Sequence, residues 1–113
     1  MAKKILVVED DENWQETLRQ ILERAGYQVF LAFDRESALK QFIAKHPDLV
    51  TMDGRLYGDN GLDIAGDIRK FNPTAPIVML TGEGDVKFEG RGLDKGSFDS
   101  STFRALVTEL LGE

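Results

Sequence analysis

Short uninterrupted apolar runs alternate along this chain with longer stretches in which apolar residues recur at helical spacing. Ile5-Leu6-Val7-Val8 is rich in β-branched residues and reads as a strand covered on both faces. Trp14, Leu18, Ile21, Leu22 and Ala25 come next at the spacing of a helix, with Asp11 at the N-cap position and Gly26 at the C-cap position. Val29 to Ala32 read as a second strand. Asp34 opens a second helix with Ala38, Leu39, Phe42 and Ile43 on its buried stripe, and His46-Pro47 ends it. Leu49 to Met52 form a third strand. The turn-rich stretch Tyr57-Gly58-Asp59-Asn60-Gly61 leads into a third helix with Leu62, Ala65 and Ile68 inward, stopped by Asn72-Pro73. Ile77 to Leu80 read as a fourth strand. Asp99 or Ser100 caps a last helix with Phe103, Leu106, Val107, Leu110 and Leu111 on one face.

Alternating strands and helices predict an α/β architecture with a parallel sheet and helices on both faces. The rhythm breaks between Gly82 and Ser97, where five of the eleven glycines fall and only Val86, Phe88 and Leu93 are apolar. Several glycines would each cost about 1 kcal/mol inside a helix, so no helix of ordinary length is expected there. A fifth strand near Arg91 to Asp94 is the one element this segment suggests. The segment is either a functional loop or the remnant of an element.

The 113 residues suffice for one domain and for a core that needs no staples. There is no cysteine, which excludes disulfides and thiolate metal sites. A formal charge of -6 argues against direct binding to nucleic acid or anionic membranes. No apolar run is long enough to span a bilayer, and the stretch after Lys3-Lys4 is too short for a signal peptide. The expectation is a soluble cytoplasmic protein, residues 1–113 forming one domain.

Candidate chemistry lies just past the ends of three of these strands. Glu9 and Asp10 come after Val8, Asp53 after Met52, and Thr81 after Leu80. In an open parallel sheet the carboxyl ends of the strands share one edge, where ligands bind. Three carboxylates and a hydroxyl are therefore predicted to converge. Two carboxylates 4 Å apart repel by about 4 kcal/mol at an effective dielectric of 20. A hard divalent cation with oxygen ligands, Mg²⁺ foremost, would offset that repulsion and suit phosphoryl chemistry. Against this stands the ordinary use of acids after strands as caps and turn residues, which explains any one of these positions more easily than all of them together.

Ile5-Leu6-Val7-Val8-Glu9-Asp10-Asp11 resembles the opening of a response-regulator receiver domain of two-component signalling. Pro47-Asp48-Leu49-Val50-Thr51-Met52-Asp53 is similar to that family's run into its phosphoacceptor aspartate. Asp59-Asn60-Gly61-Leu62 matches the loop and helix start beyond it, and Ala75-Pro76-Ile77-Val78-Met79-Leu80-Thr81 the strand ending in the family's Ser/Thr. The resemblance runs from about Lys4 to Thr81 and resumes over the last helix. It implies a flavodoxin-like (βα)5 fold with strand order 2-1-3-4-5. It also implies Asp53 as nucleophile toward a phosphohistidine, with Glu9, Asp10 and the Arg55 backbone carbonyl as further Mg²⁺ ligands beside it. The Thr81 hydroxyl would bond a phosphoryl oxygen. A lysine would place its charge on the phosphoryl group, and Lys95 is the candidate, with Lys87 the competitor. The implied partners are a sensor histidine kinase or phosphotransfer protein and a downstream partner protein. No output domain is expected, because the last helix ends near Gly112.

Several positions depart from the family. Lys95 lies fourteen residues after Thr81, roughly two helical turns too few for a full helix and strand, so the fourth helix should be missing, short or irregular. Gly96 follows Lys95 where the family has Pro, so its cis peptide is not expected. The aromatic switch position falls on Gly92, with Phe88 as the alternative. Tyr57 stands where Pro is common, and Gly54 where an apolar residue is common. Arg55 and Glu83, two residues after Asp53 and Thr81, either pair over the site and slow attack by water or are two exposed charges. Trp14 is either packing or a reporter of metal binding, and the single His46 carries no catalytic signal.

Three other functions compete with a phosphoacceptor switch. A pseudo-receiver would keep the fold as an interaction module without phosphorylation. An Asp-nucleophile phosphohydrolase would need an acid where Arg55 stands. A flavin domain would want a hydroxyl-rich loop where Glu9-Asp10-Asp11 stand.

Overall fold

Five strands pair in parallel in the computed structural model, which describes residues 2–56, 58–82 and 92–113. The elements are β1 (Lys4–Val8), α1 (Glu12–Arg24), β2 (Gln28–Ala32), α2 (Arg35–Lys45), β3 (Leu49–Asp53), β4 (Arg55–Leu56), β5 (Asp59–Asn60), α3 (Gly61–Phe71), β6 (Ile77–Thr81), β7 (Gly92–Asp94), a 3₁₀ turn (Lys95–Ser97) and α4 (Ser100–Leu111). The sheet order is β2-β1-β3-β6-β7. With the β4–β5 hairpin set aside, that is the 2-1-3-4-5 order expected of a flavodoxin-like fold.

Period-two alternation in the strands divides the core into two layers. Leu6, Val8, Val50, Met52, Ile77 and Met79 face α2 and α3, where Ala38, Phe42, Ile64, Ala65 and Ile68 meet them. Ile5, Val7, Leu49, Val78 and Leu80 face α1 and α4, against Leu18, Leu22, Phe103 and Val107. Both faces are therefore covered, which is why the central strands read as unbroken apolar runs. Aspartate side chains cap three helices, Asp11 accepting from the Trp14 N–H, Asp34 from Ser37 in a capping box, and Asp99 from Thr102. Each satisfies an amide left unpaired by the first turn.

Some expectations need correction. Ile43 does not belong to the buried stripe of α2: it is 49% exposed and lines an open cleft with Phe71 and Pro76. Helical spacing tells which way a side chain points but not whether anything covers it, and among the described residues Ile43 belongs to neither core layer. On α3, Ile64 joins Ala65 and Ile68 in the core while Leu62 packs at its rim. Ala25 is the residue that caps α1, and Gly26 follows it at φ 95°, the left-handed position that favours glycine. The turn-rich stretch after Asp53 carries a two-residue antiparallel ladder, Arg55 opposite Asn60 and Leu56 opposite Asp59. The fifth strand expected near Arg91 to Asp94 is present as β7. Glu83, Lys87, Phe88, Tyr57 and the interval of the fourth helix lie outside the described residues. Among the described residues no helix is long and apolar enough to cross a membrane.

Candidate functional site

Sheet register brings the strand-end residues together. Val8 pairs with Met52, so Glu9 and Asp53 leave adjacent strands side by side. Asp53 pairs with Leu80, which puts Thr81 one step beyond, and Thr81 pairs with Asp94, which puts Lys95 one step beyond that. Four of the elements therefore deliver Glu9, Asp53, Thr81 and Lys95 to one edge of the sheet, as expected for the carboxyl ends of parallel strands.

Oxygen atoms of Glu9, Asp10 and Asp53 lie within 4.8 Å of one another. Asp53 is 6% exposed and Glu9 1%. The Glu9 amide donates to the Ala32 carbonyl at 2.9 Å, extending the β1–β2 pairing past the strand end. One Glu9 carboxylate oxygen accepts the Asp11 N–H at 3.2 Å, and the other accepts the Lys95 ammonium at 2.5 Å. The same ammonium stands 3.3 Å from Asp53 Oδ1, which also accepts the Arg55 N–H at 3.3 Å.

One ammonium faces two buried carboxylates here, and the charges do not balance. Burial, then the hydrogen bond and charge of Asp53, push the Glu9 carboxyl up to about 8 against the pull of Lys95. Burial by itself would lower the Lys95 ammonium, but the bonds and charges of Glu9 and Asp53 hold it above its ordinary value. Two buried carboxylates facing one ammonium leave room, electrostatically, for a cation of higher charge. All-oxygen ligands at one edge of the sheet suit a hard divalent ion such as Mg²⁺.

Three contacts at this site have no signature in the residue pattern. The Gln15 side-chain amide donates to the Glu9 carbonyl at 2.5 Å, tying the first turn of α1 to the acid loop. Lys95 Nζ lies 5.1 Å from the centre of the Trp14 ring. Gly61 packs on the Asp53 backbone so closely that an added Cβ would come 2.0 Å from the Asp53 carbonyl oxygen. The Gly61 match in the loop motif pointed to the residue but not to this reason for it. Trp14, one helical turn after Asp10, packs on Phe98 and also meets the Lys95 ammonium. Of the two candidate lysines, Lys95 reaches the acids, and Lys87 and the proposed Arg55 partner Glu83 lie outside the described residues.

The family model of the response regulator receiver domain matches residues 5–102. Among curated proteins, the chain is 38% identical over 102 residues to the alkaline phosphatase synthesis transcriptional regulatory protein PhoP of Bacillus subtilis (strain 168), covering 90% of this chain and 42% of PhoP. It is 36% identical over 104 residues to the phosphate regulon transcriptional regulatory protein PhoB of Escherichia coli (strain K12), covering 90% of this chain and 45% of PhoB. The chain thus spans less than half the length of these relatives. Among solved structures, the receiver domain of NtrX from Brucella abortus superposes with a TM-score of 0.88 at 28% identity, covering 96% of this chain and 98% of that one.

Proposed function

The chain belongs to the response regulator receiver domain family, and on that premise we propose that it is a phosphoacceptor switch whose acceptor is Asp53. The observation that carries this reading is the convergence of Glu9, Asp10 and Asp53 with the Lys95 ammonium beside Asp53. The donor would be a phosphohistidine on a sensor kinase or phosphotransfer protein. An Asp53 carboxylate oxygen attacks phosphorus in line with the departing imidazole. The P–O bond forms as the P–N bond breaks, the electron pair of the broken bond goes to the imidazole, and Asp53 exchanges no proton.

Glu9, Asp10, Asp53 and the Arg55 backbone carbonyl would hold Mg²⁺, Glu9 through water. When bound, the ion supplies positive charge that screens the anionic phosphoryl group from the acids around its acceptor. Lys95 provides a point charge for the phosphoryl oxygens. The Thr81 hydroxyl is the hydrogen-bond donor to one of them, and its approach would signal the phosphorylated state to a downstream partner. Burial of Asp53 limits the access of water that would hydrolyse the product.

The test is intact mass after incubation with Mg²⁺ and acetyl phosphate. A gain of one phosphoryl group that disappears in Asp53→Asn supports the reading. An unchanged mass overturns it and leaves the fold as an interaction module.

A further inference from the structure

We propose that Trp14 is a positioning residue for the phosphoryl site, its ring face holding the Lys95 ammonium beside Asp53. This rests on the reading of Asp53 as acceptor. Lys95 follows a three-residue edge strand, and its turn is pinned by the Asp94 carboxylate accepting the Gly96 N–H at 2.7 Å. The backbone is thus fixed, but a lysine stem with four rotatable bonds is not.

Two carboxylates hold the ammonium, at 2.5 Å from Glu9 and 3.3 Å from Asp53. A further neighbour among the described residues is the Trp14 ring, with Nζ 5.1 Å from its centre. That is within the range over which the negative face of an aromatic ring attracts a cation, and tryptophan is the strongest such ring. The ring is itself braced. Phe98 meets it edge-on, with centroids 5.2 Å apart and planes at 89°, and Phe98 packs in turn on the fully buried Phe103 at 5.5 Å. Period two puts Glu9 and Asp53 on the same sheet face as Ile5, Val7 and Leu49, the face covered by α1 and α4. The aromatic stack therefore stands on the side where the acids point.

The consequence appears when Glu9 is committed to a divalent cation. A water-bridged cation would then compete with Lys95 for the Glu9 carboxylate that the ammonium meets at 2.5 Å. Asp53 would share the same cation, and among the described neighbours of the ammonium Trp14 is the uncharged surface that does not compete for the metal. The ring confines the ammonium near Asp53 while leaving its N–H donors free for an incoming phosphoryl oxygen.

The experiment has two arms. In the first, the ε-methylene protons of Lys95 are followed by NMR on ¹³C-lysine-labelled protein, without any phosphodonor. Ring current should shift them upfield in the wild type with and without Mg²⁺. Trp14→Phe should keep part of the shift and Trp14→Leu should lose it. Unshifted protons in the wild type, or a shift that vanishes on adding Mg²⁺, overturn the proposal. In the second arm, the rate of phosphorylation by acetyl phosphate is compared in a double-mutant cycle with Lys95→Met. Trp14→Leu should slow the reaction about three- to ten-fold when Lys95 is present, Trp14→Phe less. In the Lys95→Met background Trp14→Leu should change the rate by less than about two-fold. Equal losses in both backgrounds mean that Trp14 acts by packing alone and overturn the proposal. A wild type that takes no phosphoryl group fails Asp53 as acceptor and this role with it, while the first arm still judges the contact.

Discussion

The ammonium of Lys95 lies 2.5 Å from the Glu9 carboxylate, a bond that joins residues 86 positions apart and closes the site between the ends of β1 and β7. Burial, then the hydrogen bond and charge of Asp53, nevertheless leave Glu9 protonated more readily than an ordinary glutamate, with the Lys95 bond opposing them.

The stability of the metal-free protein should therefore fall as pH rises. A carboxyl held at about 8 in the fold, against an ordinary value of 4.5, binds a proton that the unfolded chain does not. Its contribution is present below the unfolded value and is lost as pH climbs through the folded one. The melting temperature without divalent ions is expected to decline from about pH 5 to about pH 8. Glu9→Gln should flatten that slope, and Asp53→Asn should do so partly by removing the neighbouring charge. Thermal melts in chelator across that range check both.

Adding Mg²⁺ should reverse the trend. A cation that binds only the folded state stabilises it by RT ln(1 + [L]/Kd), about 1.4 kcal/mol at ten times the Kd. Because it must displace the Glu9 proton, its affinity should rise with pH over the same interval. Asp10→Asn should weaken it by about ten-fold or more, read from Mg²⁺-dependent melting shifts.

Gly61→Ala should damage both fold and site. The new Cβ would meet the Asp53 carbonyl oxygen at 2.0 Å, so the start of α3 or the end of β3 must move. A cost of about 1–3 kcal/mol is expected, as for other overpacking changes. Urea denaturation gives that cost, and a weaker Mg²⁺ response in the same variant shows that Asp53 has shifted.

Thr51→Val should stabilise the protein. Thr51 is buried in β3 two residues before Asp53, and its hydroxyl has no hydrogen-bond partner among the described residues. Replacing it by a methyl group removes an unmet desolvation cost of about 1 kcal/mol. The urea midpoint should rise with the slope unchanged, and the Mg²⁺ affinity should stay as it was.

Much of the fold and half of the site are legible in the chain because strands and acids are adjacent in it. The runs at Ile5–Val8 and Leu49–Met52 announce buried strands, and a parallel sheet then obliges Glu9 and Asp53 to meet. Lys95 is legible only through the resemblance, since nothing in a lysine between Asp94 and Gly96 marks it as reaching the acids. Ile43 is misplaced by its spacing because periodicity gives direction without the extent of the surface opposite. Gln15 and the Trp14 ring reach the site through tertiary contacts that no local pattern encodes. The β4–β5 ladder arises from pairing across Gly58, at φ 73°, within a stretch whose residues predict only a turn.

The location of the phosphoryl group tests the role of Asp53 most directly. The protein is treated with Mg²⁺ and acetyl phosphate, the acyl phosphate is reduced with borohydride, and the peptides are mapped by mass spectrometry. The predicted result is conversion of the aspartate at position 53 to homoserine, and at no other position. Conversion at another carboxylate, or at none while the protein remains folded and binds Mg²⁺, would contradict Asp53 as the acceptor.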